Sequence, residues 1–482
     1  MGGKKGQLKT QTLSNMVWRF AERCGAQGVS FVVSLVLARL LDPDVYGTVA
    51  LVTVFTAILQ VFVDSGLGTA LIQKKDADQL DFSTVFYFNM GMCLALYAIL
   101  FAAAPWIASF YGDDSLCAVV RVLGLTLIIS GMKNIQQAYV SRHLIFRRFF
   151  YATLGGTIVS AVVGIAMAYA GFGVWALVAQ RLTNSAMDTL ILFFTVRWRP
   201  TREWSFQRFK GLFAFGWKLL LSSLLDTVFN NLWQLIIGKK YSSTDLAYYN
   251  KGDNFPKLLI TNINSAIDSV LLPVMSSVQS ETERVKAITR RAIEVSTYVM
   301  APLMVGLAAV AEPLIRLLLT EKWLPCVFFL RMACVAYLVY PIHTANLNAI
   351  KALGRSDLFL KLEVIKKGIA LAFLLVTMWF GVKVMMRGVV IASLLSVVVN
   401  AYPNKQLMNY SLGEQMKDIL PHIMMAVAMG IPVYCLSFLP LPTICVLLVQ
   451  VLCGAVIYIG LSVLLHVEMF YYILNMLRGY RK

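Results

Sequence analysis

The chain has 482 residues, of which 59% are hydrophobic and only 14% charged, and its mean hydropathy is +0.71. Soluble domains average about 45–50% apolar and about 25% charged residues, so these values exclude a soluble globular protein and point to an all-α integral membrane protein. The net charge of +18 is what cytoplasmic loops of membrane proteins accumulate, and no nucleic-acid partner is needed to explain it.

A membrane-crossing helix needs about 20 mostly apolar residues. Such stretches lie near 16–40, 45–71, 82–110, 116–140, 150–170, 173–196, 211–238, 245–275, 290–319, 325–350, 360–380, 385–403, 419–438 and 441–465, about fourteen transmembrane helices in all. The first fifteen residues are polar and basic, so no cleavable signal peptide is expected.

Span one carries Arg19, Arg23, Gln27, Ser30 and Ser34, with Glu22 beside them. Span two carries Thr53, Thr56, Gln60 and Asp64. Steps of three and four put each set on one helical face. Spans seven and eight repeat the pattern. Lys218, Ser222, Asp226, Asn230 and Gln234 step by four, and Asn250, Asn254, Lys257, Thr261, Asn264 and Asp268 step by four or three. Lys251 and Asp253 lie beside the second row. A charged side chain at the bilayer centre costs about 2.5–3.5 kcal/mol on insertion scales, and such residues persist where they face water or one another. The four helices are therefore expected to wall a wet, cationic cavity. Its candidate substrate-binding residues are Arg19, Arg23, Gln27, Gln60, Lys218, Asn230, Gln234, Asn250, Lys251, Asn254 and Lys257. Glu22, Asp64, Asp226, Asp253 and Asp268 are candidates for charge balance or for coupling to H⁺ or Na⁺. Arg39, Arg316, Lys366 and Lys367 lie near span ends and are expected to reach the interface with their long stems.

Two landmarks recur at a fixed offset. Pro105 corresponds to Pro313, and Phe172-Gly173-Val174 to Phe380-Gly381-Val382. This implies two six-helix lobes, 1–205 and 206–410, related by a parallel repeat. Two further helices and a tail follow in 411–482. Pro421 to Leu465 contains no Lys, Arg, Asp or Glu, which suits structural padding or a flank for a lipid tail. One set of alternate loops and the termini holds 25 Lys and Arg, and the other set holds 5. That bias predicts cytoplasmic termini. The eight cysteines form no CxxC pair, and the four histidines show no metal-ligand spacing. Neither a metal nor a cofactor is expected.

The runs LARLLDPDVYGTVALV (Leu37–Val52), DSGLGTALIQKK (Asp64–Lys75) and YYNKGDNFPKL (Tyr248–Leu258) resemble the bacterial Wzx-like polysaccharide flippases. These belong to the multidrug/oligosaccharidyl-lipid/polysaccharide exporter superfamily, and the likeness is greatest to the colanic acid and teichuronic acid exporter type. The resemblance covers nearly the whole chain. It implies a V-shaped cavity between two lobes, a location in the bacterial inner membrane, and an undecaprenyl-pyrophosphate-linked oligosaccharide as cargo for O-antigen, capsule or exopolysaccharide synthesis. Polysaccharide polymerase machinery is an implied partner. By helix and face, Arg19 and Arg23 match the arginines that meet the lipid pyrophosphate in related peptidoglycan-precursor flippases. Arg and Lys suit a pyrophosphate, whereas Asn, Gln, Ser and Thr suit sugar hydroxyls.

Two other functions fit less well. A multidrug and toxin cation antiporter of the same superfamily predicts twelve spans and an acidic cavity. A membrane glycosyltransferase or polymerase predicts a sizeable outer loop or a catalytic acidic pair. The outer loops here are short, and Asp113-Asp114 reads as a solvated turn.

Overall fold

The computed structural model describes residues 25–479, apart from Ser65, Lys75 and Leu144, and the regular structure among them is helical throughout. The helices are α1 (Gly25–Leu40), α2 (Pro43–Asp64), α3 (Leu67–Gln73), α4 (Gln79–Tyr111), α5 (Ser115–Arg142), α6 (Arg147–Tyr169), α7 (Val174–Thr195), α8 (Phe206–Lys240) and α9 (Ser243–Ser277). They continue with α10 (Thr282–Ala309), α11 (Ala311–Leu318), α12 (Cys326–Leu338), α13 (Tyr340–Ala352), α14 (Ser356–Thr377), α15 (Val382–Met408), α16 (Leu412–Cys435), α17 (Thr443–Leu464) and α18 (Glu468–Gly479).

Thirteen of the expected spans fall on helices, and the described part of the first, from Gly25, is helical as well. Among the described residues, eleven segments are long and apolar enough to cross a membrane. The described part of α1 is shorter. Helices α7 and α14 have the length but carry charges within them, Arg181 and Asp188 in the first, and Lys361, Glu363, Lys366 and Lys367 in the second.

Three of the expected spans are broken. The stretch 45–71 is interrupted between α2 and α3, where Gly66 takes φ 66°, a conformation that glycine adopts without steric cost. The stretch 290–319 stops at Ala309 and restarts at Ala311, with Pro313 in the first turn of α11. The stretch 325–350 is divided at Val339, with Pro341 in the first turn of α13. Proline has no N–H to donate, so it suits the start of a helix and disrupts its interior. Both Phe-Gly-Val landmarks lie in turns, one between α6 and α7 and one between α14 and α15, and Gly173 and Gly381 have φ of 53° and 100°.

The chain divides into two compact units, with the boundary in sequence between Ala247 and Tyr248. In the first, Leu67, Leu71, Phe82, Ile135, Leu192 and Trp198 belong to one apolar core. A polar clasp fastens α8 to this unit. The carboxylate of Asp81, fully buried, accepts from Lys74 Nζ at 2.6 and 2.7 Å and from Arg208 Nη1 at 3.1 and 3.2 Å. Arg208 also pairs with Asp78 at 3.2 Å. Asp78 and Asp81 form a reciprocal capping box at the start of α4. The expected lobe boundary sets α8 at the head of the second lobe, whereas its contacts group it with the first unit.

The second unit has one core around Met275, Ile342 and Tyr410 and another around Tyr298, Met429 and Tyr458. The second core joins α16 and α17 to α10. Tyr458 Oη donates to Tyr298 O at 2.8 Å, and Tyr298 Oη lies 2.7 Å from Ser462 Oγ.

Candidate functional site

The polar rows read from the sequence occupy different settings in the two units. In the first unit, Gln27 is exposed on α1, while Arg19, Glu22 and Arg23 lie outside the described residues. On α2, Thr53 and Thr56 donate to their own helix, at Val49 O (2.6 Å) and Val52 O (3.3 Å). Gln60 Nε2 donates to Asp64 Oδ1 at 3.3 Å, and Asn134 Nδ2 of α5 reaches the same oxygen at 3.0 Å. Asp64 is thus met by amides. Close by in sequence, Lys133 pairs with Asp188 of α7 at 2.8 Å.

On α8 the row Lys218, Ser222, Asp226 and Asn230 is exposed, and Gln234 is half-buried. No side chain described between Trp217 and Ile236 is buried. Leu219, Leu221 and Leu225 are exposed as well, and the polar row is accessible.

On α9 in the second unit, Asn254, Lys257, Thr261 and Asp268 are exposed, and Asn250 and Asn264 are half-buried. Lys257 pairs with Asp253 one turn earlier at 3.6 Å, and Asp253 Oδ1 accepts from Tyr337 Oη at 2.8 Å. Asp253 therefore balances a cation of the row. Lys251 does not share this accessible stripe. It is only 7% exposed, and its ammonium lies 5.6 Å from the centroid of the Trp323 ring, a cation–π contact inside the unit.

The row ends in a cleft of about 420 Å³ bounded by α9, α12, α13, α14 and α15. Thr344 Oγ1 donates to Asn264 Oδ1 and Asn348 Nδ2 donates to Asp268 Oδ1, both at 2.6 Å. Across the cleft, Lys366 Nζ meets Glu363 Oε1, also at 2.6 Å. Asn400 Nδ2 lies 2.9 Å from His343 Nδ1. The expectation that Lys366 reaches the interface is corrected here, because its side chain is 16% exposed and faces this cleft. Sequence reading also missed Thr344 and Asn348. They stand four apart within an apolar span, the same signal that marks α8 and α9. Among the described residues, no group of three or more His, Cys, Asp or Glu is placed to hold a metal ion.

A family model described as "Polysaccharide biosynthesis protein" matches residues 36–328, more than half of the chain. The chain belongs to that family. All three segments that carry the Wzx-like resemblance lie inside the match. Among relatives of this polysaccharide biosynthesis protein, the succinoglycan biosynthesis transport protein ExoT of Rhizobium meliloti is 25% identical over 64% of the chain and 63% of its own length. The teichuronic acid biosynthesis protein TuaB of Bacillus subtilis is 25% identical over 63% of each. The alignment thus spans less than two thirds of either relative. The lipopolysaccharide biosynthesis protein WzxC of Escherichia coli is 23% identical over 74% of the chain and 73% of its own length. Among solved structures, the inward closed conformation of the lipid II flippase MurJ matches with TM-score 0.74 at 14% identity, over 95% of this chain and all of that one. An inward-facing multidrug resistance transporter of the MATE family matches with TM-score 0.59 at 15% identity, over 82% and 94%. The family member described here thus has the fold of the MOP superfamily of membrane transporters.

Proposed function

We propose that the protein is a flippase. It moves an undecaprenyl-pyrophosphate-linked oligosaccharide from the cytoplasmic to the outer leaflet by alternating access. The observation that carries this reading is the accessible polar row on each of two otherwise apolar helices, Lys218 to Gln234 on α8 and Asn250 to Asp268 on α9. The fold shared with MurJ, and relatives named for the transport or biosynthesis of surface polysaccharides, support it. Arg19, Arg23, Lys218 and Lys257 are assigned to the pyrophosphate, and the amides to the glycan. Asp64, Asp226, Asp253, Asp268 and Glu22 moderate the positive charge or take a coupling H⁺ or Na⁺. An inside-negative potential favours outward movement of an anion, by about 2.3 kcal/mol per charge for 100 mV. With 25 of the Lys and Arg on one set of loops and termini, both ends of the chain face the cytoplasm. A polysaccharide polymerase receives the product.

The test uses proteoliposomes loaded with a fluorescent undecaprenyl-pyrophosphate oligosaccharide and an impermeant quencher. The wild-type protein speeds exposure of the lipid to the quencher, and the Lys218→Ala, Lys257→Ala double variant slows it about tenfold, the effect of about 1.4 kcal/mol. Exposure no faster than in protein-free vesicles rules the reading out.

A further inference from the structure

The cleft of the second unit is lined by ions of both signs. Its ionisable lining comprises Asp268 and Glu363 against Lys351 and Lys366, with His343 beside them. The formal charges of the four ions cancel. A pyrophosphate entering there meets two carboxylates, and a metal ion or organic cation meets two ammonium groups. Each therefore meets repulsion as well as attraction.

An uncharged polyhydroxyl ligand has no such conflict, because each hydroxyl both donates and accepts. Asn264 and Asn348 present amides, Thr344, Ser393 and Ser396 present hydroxyls, and the rings of Tyr337 and Tyr340 supply an apolar wall. The volume, about 420 Å³, lies at the lower end of the range for small-ligand sites. A mixture of convergent donors and acceptors beside aromatic rings matches a pyranose, whose edge is polar and whose C–H face is not.

The polar groups are also held in place. Asp268 is fixed by Asn348, Asn264 by Thr344, and Glu363 by Lys366, each at 2.6 Å. Groups already oriented by their neighbours lose little entropy when a ligand arrives.

We infer that this cleft, among α9, α12, α13, α14 and α15, is a saccharide pocket. It takes uncharged sugar units of the cargo, whereas the pyrophosphate is assigned to Lys257 and the other cations named above. The inference rests on the lipid-linked oligosaccharide reading above.

The probes are undecaprenyl pyrophosphate bearing an uncharged trisaccharide and undecaprenyl pyrophosphate without sugar, each bound to protein in nanodiscs. Wild type binds the glycosylated lipid more tightly. Asn264→Leu removes one polar group, and Ser396→Phe fills the cleft from α15 while leaving the Asn264–Thr344 bond intact. Either variant lowers affinity for the glycosylated lipid about tenfold, the effect of about 1.4 kcal/mol, and leaves the bare lipid unchanged. Ser396→Phe keeps the test open if Asn264→Leu fails to fold. If wild type holds both lipids equally, or if the folded variants lose both in parallel, the saccharide pocket is wrong and the lipid-carrier reading stands. If wild type binds neither lipid, both readings fall.

Discussion

Asp81 carries more of the first unit than its one charge suggests. It is fully buried, yet two cations from α8 and from the segment after α3 converge on its two oxygens. Replacing it with Asn keeps the shape and leaves Lys74 and Arg208 without their buried counter-charge. Breaking a fully buried pair costs about 3–5 kcal/mol. Here both cations reach solvent, and the loss expected for Asp81→Asn is about 2–3 kcal/mol, read as a lower unfolding temperature in detergent. The same experiment run against pH shows the acid limit of the clasp. The backbone N–H of Asp81 bonds the Asp78 carboxylate, Arg208 adds its positive charge, and together they hold Asp78 below the ordinary carboxylate range. Its folded value lies under its unfolded value, so its stabilising contribution is present above about pH 4 and is lost as pH falls through the depressed value. Pairings of this kind were not legible beforehand. Lys133 lies within an apolar span and its partner Asp188 is 55 positions away, so only the packing of α5 on α7 brings the two together.

Helices were easier to place than their interruptions. Hydropathy continues through Val310 and Val339, so a window long enough to find a span averages over the break. Pro341 and Pro313 were visible signals, but proline also occurs inside uninterrupted helices here, as at Pro105 in α4 and Pro256 and Pro273 in α9. The residue alone does not distinguish the two cases. The polar row of α9 was legible because its spacing is local. The spacing of Thr344 and Asn348 was equally local, but their joining to the α9 row, and that of Glu363, comes only through tertiary packing. Element contacts also explain part of the run LARLLDPDVYGTVALV. A Cβ added at Gly47 would lie 1.7 Å from the carbonyl oxygen of Ser243 at the first residue of α9. Gly47→Val must therefore push α2 away from the start of α9. We expect a loss of about 3 kcal/mol or more, the upper end of overpacking costs, seen as a fall in folded yield and unfolding temperature. A variant as stable as wild type contradicts the close approach.

For the molecule as a whole, composition sufficed for the class, apolar stretches for most helix positions, and three short runs for the family. They left open the function of each unit's interior, because a membrane protein hides its polar pairs where hydropathy sees only a dilution of apolar residues. The connector between α7 and α8 shows what such hidden bonds achieve. Arg197 and Arg202 are exposed there, and an exposed strand with basic residues is ordinarily where a protease begins. Its main chain, however, is stitched to α4. Gln79 Nε2 donates to Arg199 O at 2.6 Å, Thr201 N donates to Ser83 Oγ at 3.0 Å, and Ser205 N donates to Thr84 Oγ1 at 3.2 Å. Trp198 Nε1 adds a bond to Gln79 Oε1 at 2.7 Å. Trypsin needs several residues of slack chain to thread its cleft, and these stitches remove the slack. Brief digestion of the detergent-solubilised protein should therefore nick other sites first, and early fragments ending at Arg197 or Arg202 would show that the seam is loose.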